Sequence, residues 1–178
     1  DMYRFGYGTK RDYIKAMEYF LLSASYGYPT PQYNVGLMYY FGEGVPQDRK
    51  AALDWMMKAA KQRHPAAMNH IGAAYLQGEA VTQDYKTACK WFKAAAKSGD
   101  VDAMRNMGLM YDAGLGVEKS KAKAYDWMIQ AARAGEPRAM VFVGTAHFYG
   151  EGSEQNYTQA QDWWDKACEA GNKEGCMN

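Results

Sequence analysis

The sequence predicts an all-α solenoid built from helix pairs that recur every 36 residues. Three observations predict it. Gly36, Gly72, Gly108 and Gly144 stand 36 apart, and so do Trp55, Trp91, Trp127 and Trp163; a period of this length is that of stacked supersecondary units. A load of 5 Trp, 15 Tyr, 6 Phe and 12 Met is matched by 18 Gly, the small-against-large composition that close helix packing needs. Hydrophobic content of 48% with 23% charge is that of a globular chain rather than a disordered one.

The elements follow from columns read down the repeats. Tyr3, Tyr39, Tyr75, Tyr111 and His147 share one column, and Gly6, Gly42, Gly78, Gly114 and Gly150 stand three residues on. Such glycines end a helix in the left-handed conformation. Gly8, Gly44, Ala80, Gly116 and Gly152 follow. The column Asp12, Asp48, Asp84, Ser120, Asn156 supplies side chains that accept from the free amides of a helix start. The helix after it, helix B, carries Ala52, Trp55 and Ala60 and their equivalents on one apolar stripe. It is expected at roughly 49–62, 85–98, 121–134 and 157–170. It stops at Gly27, Arg63, Gly99, Gly135 and Gly171, and Pro29, Pro65 and Pro137 open the next helix. Helix A is expected at roughly 30–41, 66–77, 102–113 and 138–149, packed through Ala67/Ala103/Ala139 and Val35/Ile71/Met107/Val143. A mid-helix glycine costs about 1 kcal/mol against Ala. Its fourfold recurrence at Gly36, Gly72, Gly108 and Gly144 implies that a neighbouring helix, through its large aromatic, comes too close for a methyl group.

One pair cannot bury both stripes alone, so the pairs must stack. The expected organisation is a single solenoid domain over 1–178. It comprises a partial repeat at 1–29, full repeats at 30–65, 66–101, 102–137 and 138–173, and the start of a further helix at 174–178. Both ends read as cut from a longer array or as lacking polar capping helices, and self-association through the repeat ends is expected. The chain opens in mid-pattern at Asp1, so the lack of a leader says nothing about compartment. With 21 basic and 20 acidic residues the net charge is +1, without the basic bias of a nucleic-acid binder. No apolar run is long enough to span a membrane.

Gly36-x-x-Tyr39-x-x-Gly42-x-Gly44-Val45, followed by Asp48, Lys50-Ala51, Trp55 and Lys58-Ala59-Ala60, resembles the Sel-one-like repeat family of the tetratricopeptide superfamily. The resemblance covers essentially the whole chain. It implies a right-handed αα superhelix of antiparallel helix pairs with helix A lining the concave side, and an adaptor role. His147, Ala80, Ser153 and Arg63 depart from the pattern at local turns.

Helix A's other face varies from repeat to repeat. Tyr33, Leu37 and Tyr40 are matched by Asn69, Ala73 and Leu76, by Arg105, Leu109 and Asp112, and by Val141, Thr145 and Phe148, with Phe41 and Tyr149 at its edges. Packing demands similar residues at similar positions and recognition does not, so this face is the candidate partner site. It has aromatic ends (Tyr33, Tyr40, Phe41; Phe148, Tyr149) and a polar middle (Asn69, Arg105, Asp112). The competing reading is unconstrained surface with incidental aromatics.

Cys168 takes the slot of Ala60, Ala96 and Ala132, and Cys176 that of Met68, Met104 and Met140, so their side chains should meet across a turn. The ending resembles that of the cysteine-rich secreted bacterial members, which implies a Cys168–Cys176 disulfide and a periplasmic or secreted location; two free core cysteines in a cytoplasmic protein are the alternative. Cys89 reads as a small core residue.

Catalytic signals are weak. Ser120-Lys121-Ala122-Lys123 fits Ser-x-x-Lys, but Ser120 lies in the capping column and no Ser-Asp-Asn or Lys-Thr-Gly motif accompanies it. His64, His70 and His147 lack metal-ligand spacing, Asn156-Tyr157-Thr158 is a chance-prone sequon, and the glycines form no phosphate loop. Lys58, Lys61, Lys90, Lys93 and Lys97 read as helix B's solvated face. No catalytic residue, metal or cofactor is expected. The expectation is a non-enzymatic scaffold for a protein or peptide partner. The alternative is a β-lactam- or cell-wall-fragment-binding protein or hydrolase of the cysteine-rich type.

Overall fold

The computed structural model describes residues 2–8 and 10–177. Asp1, in the partial repeat, and Asn178, in the segment expected to start a further helix, lie outside the described residues. The chain divides into two compact units, Asp1–Asp84 and Tyr85–Asn178. The first holds α1 (Met2–Phe5), α2 (Tyr13–Ser25), α3 (Pro29–Phe41), α4 (Arg49–Lys61) and α5 (Pro65–Gln77). The second holds α6 (Tyr85–Lys97), α7 (Val101–Ala113), α8 (Lys121–Arg133), α9 (Pro137–Tyr149) and α10 (Tyr157–Glu169). Among the described residues there is no strand. The even-numbered helices are the B helices, and α3, α5, α7 and α9 are the A helices.

The B helices begin where short polar side chains satisfy free amides. Asp12 accepts from the Lys15 amide at 3.0 Å, Asp48 from Lys50 and Ala51 at 2.9 Å, Ser120 from Lys123 at 3.3 Å and Asn156 from Gln159 at 3.0 Å. Three A helices also have side-chain caps, which the sequence reading did not anticipate. His64 Nδ1 accepts from Ala67, Asp100 from Ala103 and Glu136 from Ala139. Imidazole, Asp and Glu fill one position, so the column shows no single chemistry.

In the first unit α3 packs on α2 and α4, and α4 on α5. Its core joins Ala16, Met17 and Ala24 to Val35 and Met38. In the second unit α7 packs on α6 and α8, and α9 on α8 and α10. There Met128, Ala131 and Ala132 close on Ala139 and Val143. The columns Ala67/Ala103/Ala139 and Val35/Ile71/Met107/Val143 are sealed, as their uniformity requires. The tryptophan column is only half-buried; Lys58 lies 3.5 Å from the Trp55 ring centre and Lys166 4.5 Å from that of Trp163.

That placement corrects one expectation. The neighbour that excludes a side chain at the recurring glycine is not the column tryptophan but the residue after it. A Cβ on Gly36 would lie 2.9 Å from Met56 Cγ, on Gly108 2.7 Å from Met128 Cγ, and on Gly144 2.6 Å from Trp164 Cδ1. The tryptophan column turns toward the outer edge, and the next position faces the glycine. At two of these three contacts the neighbour is a methionine rather than an aromatic.

The left-handed turns are kept even where glycine is absent: Arg63 has φ 63° and Ala80 φ 60°. His147, standing for Tyr, is a hydrogen-bonded core residue, 6% exposed. Its Nε2 is 3.0 Å from the Tyr125 hydroxyl and its Nδ1 3.2 Å from the Glu154 carbonyl. Nδ1–H donating to that carbonyl leaves Nε2 to accept from Tyr125. After α10 the chain makes turns through Lys173–Met177 rather than a helix, with Cys176 and Met177 amides bonded to the Lys173 and Glu174 carbonyls.

Candidate interaction surface

In the first unit α3 and α5 carry the variable face. Tyr33 stacks on His64 with ring centres 4.8 Å apart and meets the edge of His70 at 5.5 Å. His70 Nδ1 lies 3.0 Å from the Ala66 carbonyl and 3.3 Å from the Tyr33 hydroxyl. The Tyr40 hydroxyl donates to Glu79 at 3.2 Å, and the Arg49 guanidinium lies 4.9 Å from the Tyr40 ring centre while pairing with Glu79. Beneath them is a small cavity of about 60 Å³, bounded by Tyr40, Met56, His70 and Ala73. Phe41 projects beyond this cluster, 58% exposed. Leu37, Asn69 and Leu76 are half-buried.

In the second unit α7 and α9 carry it. Arg105 donates to Asp102 at 3.2 Å, and its Nε approaches Glu136 at 3.7 Å without making a directed hydrogen bond. Glu136 is the cap of α9, so one carboxylate serves the helix start and the neighbouring arginine. Lys121 lies between Asp112 at 2.8 Å and Glu151 at 2.9 Å. The Asp112 contact is a charge pair, because its Oδ1 lacks hydrogen-bond geometry. Phe148 packs against Tyr157 and Trp164 with ring centres 5.3 and 5.6 Å away. Leu109 (45%) and Tyr149 (66%) stand clear, and Val141 is half-buried.

The variable positions therefore divide in two. Phe41, Leu109 and Tyr149 project outward. Tyr33, Tyr40, Arg105, Asp112 and Phe148 vary in sets matched to residues of the following repeat or turn. Equivalent positions hold an ionic set in Asp112, Lys121 and Glu151 and a mixed one in Tyr40, Arg49 and Glu79. Arg4 with Glu43, at 2.6 Å, is a further ionic pair at the same place in the repeat. Partners in these sets lie either nine residues away, across the turn, or 30 to 39 residues away in the next repeat, which is why the sequence reading missed them.

Elsewhere, Cys168 and Cys176 form a disulfide with Cα atoms 4.8 Å apart. Cys89 is a free buried thiol donating to the Leu115 carbonyl at 3.3 Å, and burial raises its pKa. Ser120 Oγ is used as a cap, and Lys123 of the same motif reaches over the Tyr111 ring at 5.6 Å. Among the described residues no group of three or more His, Cys, Asp or Glu could hold a metal ion, and no helix is long and apolar enough to cross a membrane.

The Sel1 repeat family model matches residues 1–28, 32–64, 65–100, 101–136 and 137–172. Among solved structures, the chain is similar to a protective antigen of uropathogenic Escherichia coli with an SLR fold. The identity is 33% and the TM-score 0.92, over 98% of this chain and 37% of the antigen. It is also similar to a Sel1 repeat protein of Oxalobacter formigenes, at 30% identity and TM-score 0.90, over 98% of this chain and 69% of that one. Cysteine rich protein B of Helicobacter pylori shares the fold, at 20% identity and TM-score 0.59, over 74% of this chain and 94% of that one. No curated protein matches the chain.

Proposed function

Because the chain belongs to the Sel1 repeat family, we propose that it is a non-enzymatic scaffold whose helix A face holds a peptide or protein partner. The observation that carries this reading is the set of large apolar side chains standing out from otherwise well-packed A helices: Phe41, Leu109 and Tyr149. Exposed aromatics on a rigid helical support supply contact area at low entropic cost. Tyr33, Tyr40, Asn69, Arg105, Asp112 and Phe148 form the polar and aromatic surroundings, with Leu37, Leu76 and Val141 completing the face. The Cys168–Cys176 bridge supports a periplasmic or secreted location, since disulfides persist in oxidising compartments.

The test is capture of the partner by the full chain and by a Phe41→Ala/Leu109→Ala/Tyr149→Ala variant. All three side chains project, so far-UV circular dichroism should not change, while capture should fall at least tenfold. Undiminished capture by a fully helical variant would remove the helix A face as the site.

A further inference from the structure

The B helix of one repeat departs from its counterparts in a way the helix A reading does not use. The residue before the column aromatic is Glu18, Asp54, Asp126 or Asp162 in four repeats, and Lys90 in α6. Two residues after that aromatic stand Leu21, Met57, Ile129 or Asp165, and Lys93 in α6. Lys86, Lys90, Lys93 and Lys97 recur at helical spacing on one face over roughly 16 Å, and α6 has no acidic residue. Lys90, Lys93 and Lys97 are exposed, and none of the ion pairs among the described residues includes them. Arg4, Arg49, Arg105 and Lys121 each hold one.

A third departure lies beneath the lysines. Cys89 stands where other repeats have Met17, Leu53, Tyr125 and Gln161. In the following repeat Tyr125 spans the space to His147. At α6 the shorter thiol stands there, and an open surface depression of about 310 Å³ is lined by Cys89, Met107, Tyr111 and Val117, with Lys90 and Lys93 at its rim. This is the low end of the range for ligand pockets, with room for one aliphatic or aromatic side chain.

We propose that this lysine-rimmed depression on α6 is a second docking site, for an acidic amphipathic segment of a partner protein. One apolar residue of the segment anchors in the depression, and flanking Asp or Glu side chains pair with Lys90, Lys93 and Lys97. Charge complementarity selects the acidic partner. The recessed apolar floor selects a side chain rather than a bilayer, which is engaged by protruding apolar groups.

The probe is a fluorescently labelled twelve-residue peptide with glutamates around one central phenylalanine, titrated by anisotropy into the full 178-residue chain. Controls are the same peptide with alanine for the phenylalanine, a glutamine-for-glutamate peptide, and vesicles rich in phosphatidylserine. The acidic phenylalanine peptide should bind at least tenfold tighter than either control peptide, and more weakly as salt rises. Lys90→Asp/Lys93→Met, which installs the residues found at Asp54 and Met57, should weaken it at least tenfold with helicity intact. Cys89→Leu, which installs the residue at Leu53, should abolish the preference for phenylalanine over alanine while charge dependence remains. Phe41→Ala/Tyr149→Ala should leave binding unchanged, which separates this site from the helix A face. Equal binding by the Lys90/Lys93 variant, equal binding of the phenylalanine and alanine peptides, or binding to the vesicles alone would each overturn the proposal.

Discussion

Arg63 and Ala80 hold backbone angles that suit glycine, at φ 63° and 60°. A side chain in that region is strained by roughly 1–2 kcal/mol, partly offset by glycine's greater freedom when unfolded. Arg63→Gly should therefore stabilise the chain by about 0.5–1 kcal/mol in urea unfolding. Gly144 is the opposite case. A methyl group there would meet Trp164 at 2.6 Å and the Ala160 carbonyl at 3.0 Å, so Gly144→Ala should cost about 1–3 kcal/mol by overpacking. Burial favours the neutral form of the Cys89 thiol, so alkylation at neutral pH, followed by mass spectrometry, should be slower in the folded chain than after denaturation. The need for glycine at position 144 was legible in the sequence, because a costly residue recurs there. The identity of its neighbour was not: Met56, Met128 and Trp164 share a face, not a chemistry.

At the level of helices, uniform columns pack and matched sets join a helix A to the helix or turn that follows. The Asp112–Lys121–Glu151 set is partly exposed, so a double-mutant cycle on Asp112 and Lys121 should give only about 0.2–1 kcal/mol of coupling, falling with salt. Its value lies in matching. Asp112→Phe alone sets an aromatic beside Lys121, whereas Asp112→Phe with Lys121→Tyr copies the contact of Phe148 with Tyr157 and should recover most of the loss. The disulfide acts at the last element. It closes an eight-residue separation, and in the chain-entropy picture contributes roughly 2–3 kcal/mol. Reduction should speed hydrogen exchange at Ala170–Met177 and leave α8 unchanged. The B-helix caps were legible because Asp, Ser and Asn share a short acceptor. The caps His64 and Glu136 were not, since neither is a usual capping residue.

For the whole chain, the repeats supply an internal alignment, and this made the fold class and the helices α3 to α10 legible to within about a residue. Function was less legible. A residue that varies between repeats can be matched to a neighbour, as Arg105 is to Glu136, or can stand free, as Leu109 does, and a column of letters looks the same in both cases. Side-chain placement separates them and leaves Phe41, Leu109 and Tyr149 projecting, the three residues proposed for recognition. Site-specific photo-crosslinking in the native host tests this most directly, with a benzophenone amino acid placed in turn at Phe41, Leu109, Tyr149 and the helix B positions Asp54 and Asp126. The account predicts one common adduct from the three helix A positions and none of that mass from Asp54 or Asp126. An adduct formed from the helix B positions and absent at Phe41, Leu109 and Tyr149 would contradict it.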